Sequence, residues 1–150
     1  PKAHMSTVPA KELQMALFHL AFNVADLDET RAFYAGLLGC TEGRSTDTWV
    51  DFDFFGHQLS CHLGTPFASA PTGKVGDHDV PMPHFGAVLP MGEWRALADK
   101  LTARGVDFIL APQIRFEGAP GEQSTMFFTD PAGNPIEIKG MADLNGAFAT

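Results

Sequence analysis

The amino-acid sequence contains an internal repeat, which limits the folds open to the chain more than any other feature. Residues 18–39, FHLAFNVADLDETRAFYAGLLG, and residues 83–109, PHFGAVLPMGEWRALADKLTARGVDFI, each begin with alternating apolar and polar residues. This alternation predicts a strand. Each copy then shows the spacing of an amphipathic helix and ends it at a glycine. A shift of 65 positions places His19, in the first opening strand, on His84 in the second.

The segments that follow each helix also correspond. Residues 49–64, WVDFDFFGHQLSCHLG, and residues 125–140, TMFFTDPAGNPIEIKG, are each predicted to form two short strands joined by a tight turn. Aligning the turn glycines of the two segments places Ser60 opposite Glu137. The whole pattern predicts an α+β fold built from two pseudo-symmetric βαβββ modules.

The repeat divides the chain into one domain with short extensions. The central linker is rich in Pro and Gly and has no periodicity, which predicts a loop. The predicted segments are a leader that begins with a cloning remnant (1–16), module one (17–64), the linker (65–82), module two (83–140) and a C-terminal tail (141–150).

Composition argues against several classes of partner. The formal charge of −8 and the absence of any Lys or Arg run argue against nucleic acid or an anionic membrane surface. No apolar run approaches the roughly 18–20 residues that span a bilayer. The two cysteines, Cys40 and Cys61, lack metal-binding spacing and are expected to be free thiols in a cytoplasmic protein.

Three side chains form the candidate site. His19 and His84 occupy equivalent positions in the two modules, and Glu137 points away from its apolar neighbours on the last strand. Two imidazoles and one carboxylate on rigid strands bind a divalent metal and leave positions open for a substrate; they suit iron, manganese, nickel or zinc. Taken singly, each residue also fits a structural role, but their symmetric placement favours the metal.

These stretches resemble the vicinal oxygen chelate superfamily, which includes glyoxalase I, extradiol dioxygenases, fosfomycin-resistance transferases and bleomycin-binding proteins. The resemblance covers residues 17–140 and is carried by FHLAFNVADLDETRAFYAGLLG, HFGAVL and FFTDPAGNPIEIKG. It implies a cupped, incomplete eight-stranded barrel around one divalent metal per chain, with His19, His84 and Glu137 as ligands. It also implies a homodimer and leaves open whether each site lies within one chain or between two.

Ser60 separates the subfamilies. Glyoxalase I has a second carboxylate where this chain has Ser60. The three-ligand set is more similar to that of extradiol dioxygenases, so the first hypothesis is an oxidoreductase with Fe(II) that cleaves a substrate bound through vicinal oxygens. A lyase, isomerase or thiol transferase with Zn, Ni or Mn is the first alternative. A binding protein of the bleomycin-resistance type, without chemistry, is the second.

Four further residues are candidates for the rest of the site. His62 lies two residues after Ser60 on the same strand face and is the candidate acid or base. Ser60, Asn23 and Arg115 are candidates for substrate binding. The expected substrate is a small molecule, either aromatic because of the Phe-rich strands or anionic because of Arg115. Surface or structural roles remain the alternatives for each.

Overall fold

The computed structural model describes residues 16–149. The helices are α1 (Leu27–Arg31), which continues as a π-helical segment (Ala32–Leu37), α2 (Met91–Ala103) and a short 3₁₀ helix (Leu144–Phe148). The strands are β1 (His19–Val24), β2 (Thr41–Ser45), β3 (Trp49–Phe54), β4 (His57–Leu63), β5 (Ala70–Val75), β6 (His78–Met82), β7 (Phe85–Pro90), β8 (Leu110–Arg115), β9 (Gln123–Thr129) and β10 (Pro135–Met141).

The two modules have the same topology, which confirms the predicted α+β class. Their open sheets have strand orders β1–β4–β3–β2 and β7–β10–β9–β8, with the first two strands of each sheet parallel. Ala21 pairs with Ser60 in the first sheet, and Gly86 pairs with Glu137 in the second. The strand register therefore confirms the equivalence of Ser60 and Glu137 that the sequence alignment predicted.

Local signals place the helices where the sequence predicts them. The Asp26 carboxylate accepts a 2.8 Å hydrogen bond from the Glu29 amide and caps α1. Gly39 and Gly105 follow the two helices with φ angles of +78° and +74°, a conformation that glycine adopts without a steric penalty. Trp94 of α2 is 2% exposed, because the helix packs its apolar face on the second sheet.

One hydrophobic core joins the modules. The rings of Phe22 and Phe85, from the two opening strands, lie 5.0 Å apart, and the rings of Phe33 and Phe128 lie 6.1 Å apart. Each sheet therefore turns one face to the shared core, and its other face is free to carry polar side chains.

The DPAGN turn before β10 forms a polar link between the modules. Asp130 is 3% exposed and accepts hydrogen bonds from the hydroxyl of Tyr34 at 2.8 Å and from the amide of Asn134 at 2.9 Å. The same Asn134 nitrogen donates to the Asn23 main-chain oxygen on β1 at 3.0 Å. Burial, followed by the charge of Asp130, raises the pKa of Tyr34 well above 10.0, so the hydroxyl remains a donor.

The linker departs from the prediction. The loop prediction for residues 65–82 was wrong over residues 70–82, where β5 and β6 form an antiparallel hairpin. Val80 of this hairpin packs with Leu110 and Phe127 in a second, smaller hydrophobic cluster. Because this packing depends on distant residues, local periodicity in the linker gave no sign of it.

The predicted leader and C-terminal tail flank the two modules. The predicted cloning remnant and leader lie, except for residue 16, outside the described residues. The predicted C-terminal tail contains the end of β10 and the 3₁₀ helix. Within the part of the chain described here, no helix is long and apolar enough to cross a membrane. Cys40 and Cys61 are both buried free thiols, as expected.

Candidate metal centre

Glu137 occupies the face of β10 that points away from the core. Its neighbours Ile136 and Ile138 are fully buried in the shared core, whereas the Glu137 side chain keeps 11% exposure on the opposite face. Strand alternation therefore places the carboxylate as the sequence predicts. The Thr125 hydroxyl on β9 donates a 2.6 Å hydrogen bond to its Oε2 atom and fixes its orientation.

His84 presents a ring nitrogen to the same carboxylate. Its Nδ1 lies 2.7 Å from the main-chain oxygen of Pro81, which can only accept a hydrogen bond, so Nδ1 carries a proton. Nε2 lies 3.1 Å from Glu137 Oε1. In the neutral ring, Nε2 and Oε1 are both acceptors, and their approach requires a cation: a second ring proton or a metal ion between them. A neutral imidazole with its other nitrogen held by a carbonyl is a typical metal ligand.

Close packing supports this pair. Gly86 lies directly opposite Glu137, and a side chain at Gly86 would overlap the main-chain oxygen of Glu137. The Phe127 ring meets the His84 ring edge-on, with centroids 4.9 Å apart. The backbone and the fully buried Phe127 thus hold the imidazole and the carboxylate in one arrangement.

His19 is supported in a comparable way on the first sheet. Its Nδ1 lies 2.8 Å from the side-chain oxygen of Gln58, its neighbour in register on β4. The Gln58 amide nitrogen in turn lies 3.4 Å from the carboxylate of Asp51, which is 7% exposed. With the amide oxygen on its Nδ1, the exposed His19 ring keeps the Nε2 lone pair available to a metal.

Ser60 and His62 form a pair on the same face of the first sheet. The Ser60 hydroxyl lies 3.0 Å from His62 Nε2, and the Trp49 ring stacks on the imidazole at 6.0 Å between centroids. The Asn23 amide donates to the His62 main-chain oxygen at 3.2 Å. Asn23 therefore ties β1 to β4, and its role in substrate binding stays a prediction.

One chain does not gather all three predicted ligands. Residues 16–149 contain no group of three or more His, Cys, Asp and Glu side chains close enough to share a metal ion. The structure brings together His84 and Glu137, whereas His19 lies on the first sheet beside Gln58. Each module thus carries part of the predicted triad.

Two cavities meet at Glu137. The larger, of about 750 Å³, contains His84 on its wall together with the apolar side chains of Phe18, Phe85 and Phe148. The smaller, of about 240 Å³, is lined by Arg115, Thr125 and Lys74. Glu137 and Lys139 line both cavities. Arg115, a candidate for substrate binding from the sequence, is the last residue of β8 and lines the smaller cavity together with Glu137.

Sequence reasoning missed several of these contacts. Thr125, Gln58 and the Pro81 carbonyl act on the candidate ligands through pairings that only the folded sheets create. Lys139 was open to prediction, because it lies two residues after Glu137 and so shares its strand face.

Comparison with known proteins assigns the chain to a family. Its sequence matches a protein-family model, that of the Glyoxalase/Bleomycin resistance protein/Dioxygenase superfamily, over residues 16–138. The chain belongs to this superfamily. A superfamily protein from Alicyclobacillus acidocaldarius is 34% identical, with a TM-score of 0.67, over 87% of this chain and 94% of that one.

More distant structures share the fold. A lactoylglutathione lyase from Agrobacterium tumefaciens is 17% identical, with a TM-score of 0.57, over 83% of this chain and 92% of that one. A fosfomycin resistance protein from Listeria monocytogenes is 19% identical, with a TM-score of 0.59, over 84% and 93%. Superfamily members bind small molecules, commonly hold a divalent metal and often form dimers.

Proposed function

We propose that this protein is a metal-dependent enzyme acting on a small substrate with two neighbouring oxygen atoms. His84 and Glu137 of one chain and His19 of a second copy would hold one divalent metal ion. The supporting observation is the 3.1 Å approach of His84 Nε2 to Glu137 Oε1 while Nδ1 is committed to the Pro81 oxygen. An imidazole nitrogen and a carboxylate oxygen that face each other are ligand atoms that suit Fe(II), Mn(II), Ni(II) and Zn(II).

A second copy supplies the missing imidazole in this proposal. His19 is exposed and its Nε2 is free of protein partners within the described residues, as a ligand to a neighbouring chain's metal must be. The exposed Leu17 and Phe18 precede it, at 66% and 63% exposure, and Phe148 beside the larger cavity is 90% exposed. Burial of these apolar surfaces would stabilise a dimer that completes two identical sites.

The first candidate reaction is an extradiol-type dioxygenation with Fe(II). A bound metal would polarise the vicinal oxygens of the substrate and, as iron, activate oxygen. Thr125 holds Glu137 in place, and Ser60, which stands in the register position equivalent to that of Glu137, would supply no fourth carboxylate or imidazole ligand. Phe18, Phe85 and Phe148 give the larger cavity an apolar wall, which suits an aromatic substrate.

A second candidate is a lyase, isomerase or thiol transferase that uses the same centre without oxygen. The 3.0 Å contact of His62 Nε2 with the Ser60 hydroxyl favours it, because an imidazole and a hydroxyl in hydrogen-bond contact can pass a proton to or from a substrate. In either reaction His62 would be the acid or base, and Asn23, Ser60 and Arg115 would contact the substrate.

Metal analysis of anaerobically purified protein tests the proposal. We expect about one divalent metal per chain, lost in His84→Ala and Glu137→Gln and retained in the control His78→Ala, whose imidazole is exposed on the hairpin. Iron together with oxygen uptake supports the dioxygenase, whereas zinc or nickel with oxygen-independent turnover supports the lyase. A metal-free wild type would contradict both the dioxygenase and the lyase and would favour a binding protein without catalytic activity.

Mixing two variants tests the contribution of the second copy. His19→Ala and Glu137→Gln chains should each lack metal. If the site lies between chains, a randomly reassociated mixture regains about a quarter of the sites, because half the dimers are mixed and each has one intact site. If the site lies within one chain, mixing restores none.

A further inference from the structure

The smaller cavity beside Glu137 is positively charged. Lys74, Arg115 and Lys139, three of the chain's ten Lys and Arg residues, line it. Glu137 is the only acidic side chain among its lining residues in the described chain. With Asp79 counted as well, because it pairs with Lys74, three positive charges against two negative charges still form a local excess in a chain whose formal charge is −8. A cavity with a positive excess attracts anions, although the net negative charge of the whole chain repels them.

Two of these three cations have no acidic partner among the described residues, and the third has only an exposed one. Glu137 already accepts from Thr125 at 2.6 Å and faces His84 at 3.1 Å. Across residues 16–149, Arg115 and Lys139 form no salt bridge. Lys74 pairs with Asp79 at 2.6 Å, but both side chains are more than half exposed, so this pair is weak and its ammonium stays available.

Arg115 lies at the end of a strand, with its guanidinium beside an aromatic ring. It ends β8, paired in register with Gln123, and its guanidinium carbon lies 5.3 Å from the centre of the Phe116 ring. Phe116 has a φ of +57°, a rare conformation for a bulky residue, and the chain turns sharply there. A guanidinium stacked on a ring keeps its N–H groups free, and their fork fits the oxygens of a carboxylate or a phosphoryl group.

We propose that this cavity binds an oxyanion group of the substrate, so that the substrate is a small carboxylate or phosphoryl compound. The charged group lies on Arg115, Lys139 and Lys74, and the rest of the molecule extends past Glu137 towards His84, since Glu137 and Lys139 line both cavities. This inference rests on the proposed function for the reaction, but oxyanion binding itself needs no metal.

Calorimetry on the metal-free 150-residue chain at low ionic strength tests the proposal, with inorganic phosphate and succinate as probes. We expect at least one probe to bind, and Arg115→Gln and Lys139→Gln each to weaken its binding about tenfold, the effect of losing one charge-assisted contact. Arg104→Gln and Lys100→Gln, which remove cations at the C-terminal end of α2 that line neither cavity, should leave binding unchanged. The stronger probe identifies the anion as phosphoryl or carboxylate.

Two results would overturn the inference. The first would be that the wild type binds neither probe. The second would be that the Arg115 and Lys139 variants bind a probe as tightly as the control variants do, while their unfolding midpoints equal that of the wild type. Metal content, measured separately, distinguishes this failure from that of the proposed function. If the protein holds metal but binds no oxyanion, only the proposal of the anion site is refuted. If it binds an oxyanion but holds no metal, only the proposal of the metal centre is refuted.

Discussion

The hydroxyl of Tyr34 donates a 2.8 Å hydrogen bond to the carboxylate of Asp130, 96 residues further along the chain. Both residues are at most 3% exposed, and the bond connects the helix of the first module to the turn that starts the last strand of the second. The DPAGN turn therefore serves the fold twice, because it starts β10 and also fastens the two modules together.

Removing this hydroxyl should destabilise the protein without changing its shape. Tyr34→Phe leaves one Asp130 oxygen with a partner fewer in a buried environment, and we expect the free energy of unfolding to fall by about 1–3 kcal/mol. Urea denaturation measures the change. Thr48→Val, which removes an exposed hydroxyl, should stay within about 0.5 kcal/mol of wild type. Equal stabilities for the two variants would refute the link.

Thr125 should control metal affinity through Glu137. Thr125→Val keeps the shape of the side chain but removes the 2.6 Å hydrogen bond that orients the carboxylate. We expect metal binding, followed by competition with a chelating dye, to weaken about tenfold or more. Thr129→Val changes an exposed hydroxyl on the same strand and serves as the control. Unchanged affinity in Thr125→Val would show that Glu137 needs no such support.

Gly86 should tolerate no side chain. In Gly86→Ala the new methyl group would overlap the main-chain oxygen of Glu137, so β7 and β10 must separate. We expect a loss of about 1–3 kcal/mol in thermal or urea unfolding. Gly92→Ala, in the first turn of α2 with open space around it, should be neutral or stabilise by up to about 1 kcal/mol. The reverse order of stability would contradict the packing at Gly86.

The two thiols should make the fold sensitive to alkali. Burial raises the pKa of Cys40 from 9.0 to about 12 and raises that of Cys61 further. The unfolded thiols ionise near pH 9 while the folded ones stay protonated, so the contribution to stability is complete below pH 9 and declines as the pH rises towards 12. Each thiol adds a slope of at most about 1.4 kcal/mol per pH unit.

Urea unfolding at pH 8, 9 and 10 measures this slope. The variant carrying Cys40→Ala and Cys61→Ala will start less stable, because it loses buried volume, but its stability should fall less steeply with pH. An identical slope in both proteins would assign the alkaline sensitivity to other groups.

The repeat made much of this fold predictable from sequence. Ser60 and Glu137 occupy the equivalent register positions that the alignment gave them, since alternation and turn glycines fix strand faces locally. His19 lies in β1 as predicted, whereas His84, predicted within the second opening strand, directly precedes β7. The positive φ angles of Gly56 and Gly133, +92° and +90°, show that both turns need the residue on which the alignment rested.

What the sequence left open depends on how the modules pack. His19 lies in β1 of the first sheet and His84 directly before β7 of the second, and the two modules meet through the contact of Phe22 with Phe85 in the core, which no local pattern encodes. The β5–β6 hairpin was missed for the same reason. Its ordering depends on Val80 covering Phe127, a residue 47 positions away.

That hairpin joins the two halves of a duplicated architecture and also forms one wall of the smaller cavity through Lys74. Insertions or deletions in this connecting peptide would reshape the space beside Glu137 and leave both sheets intact. Relatives that differ mainly in their connectors are therefore expected to differ in the molecules they accept, and exchanging connectors between them offers a simple route to new selectivity.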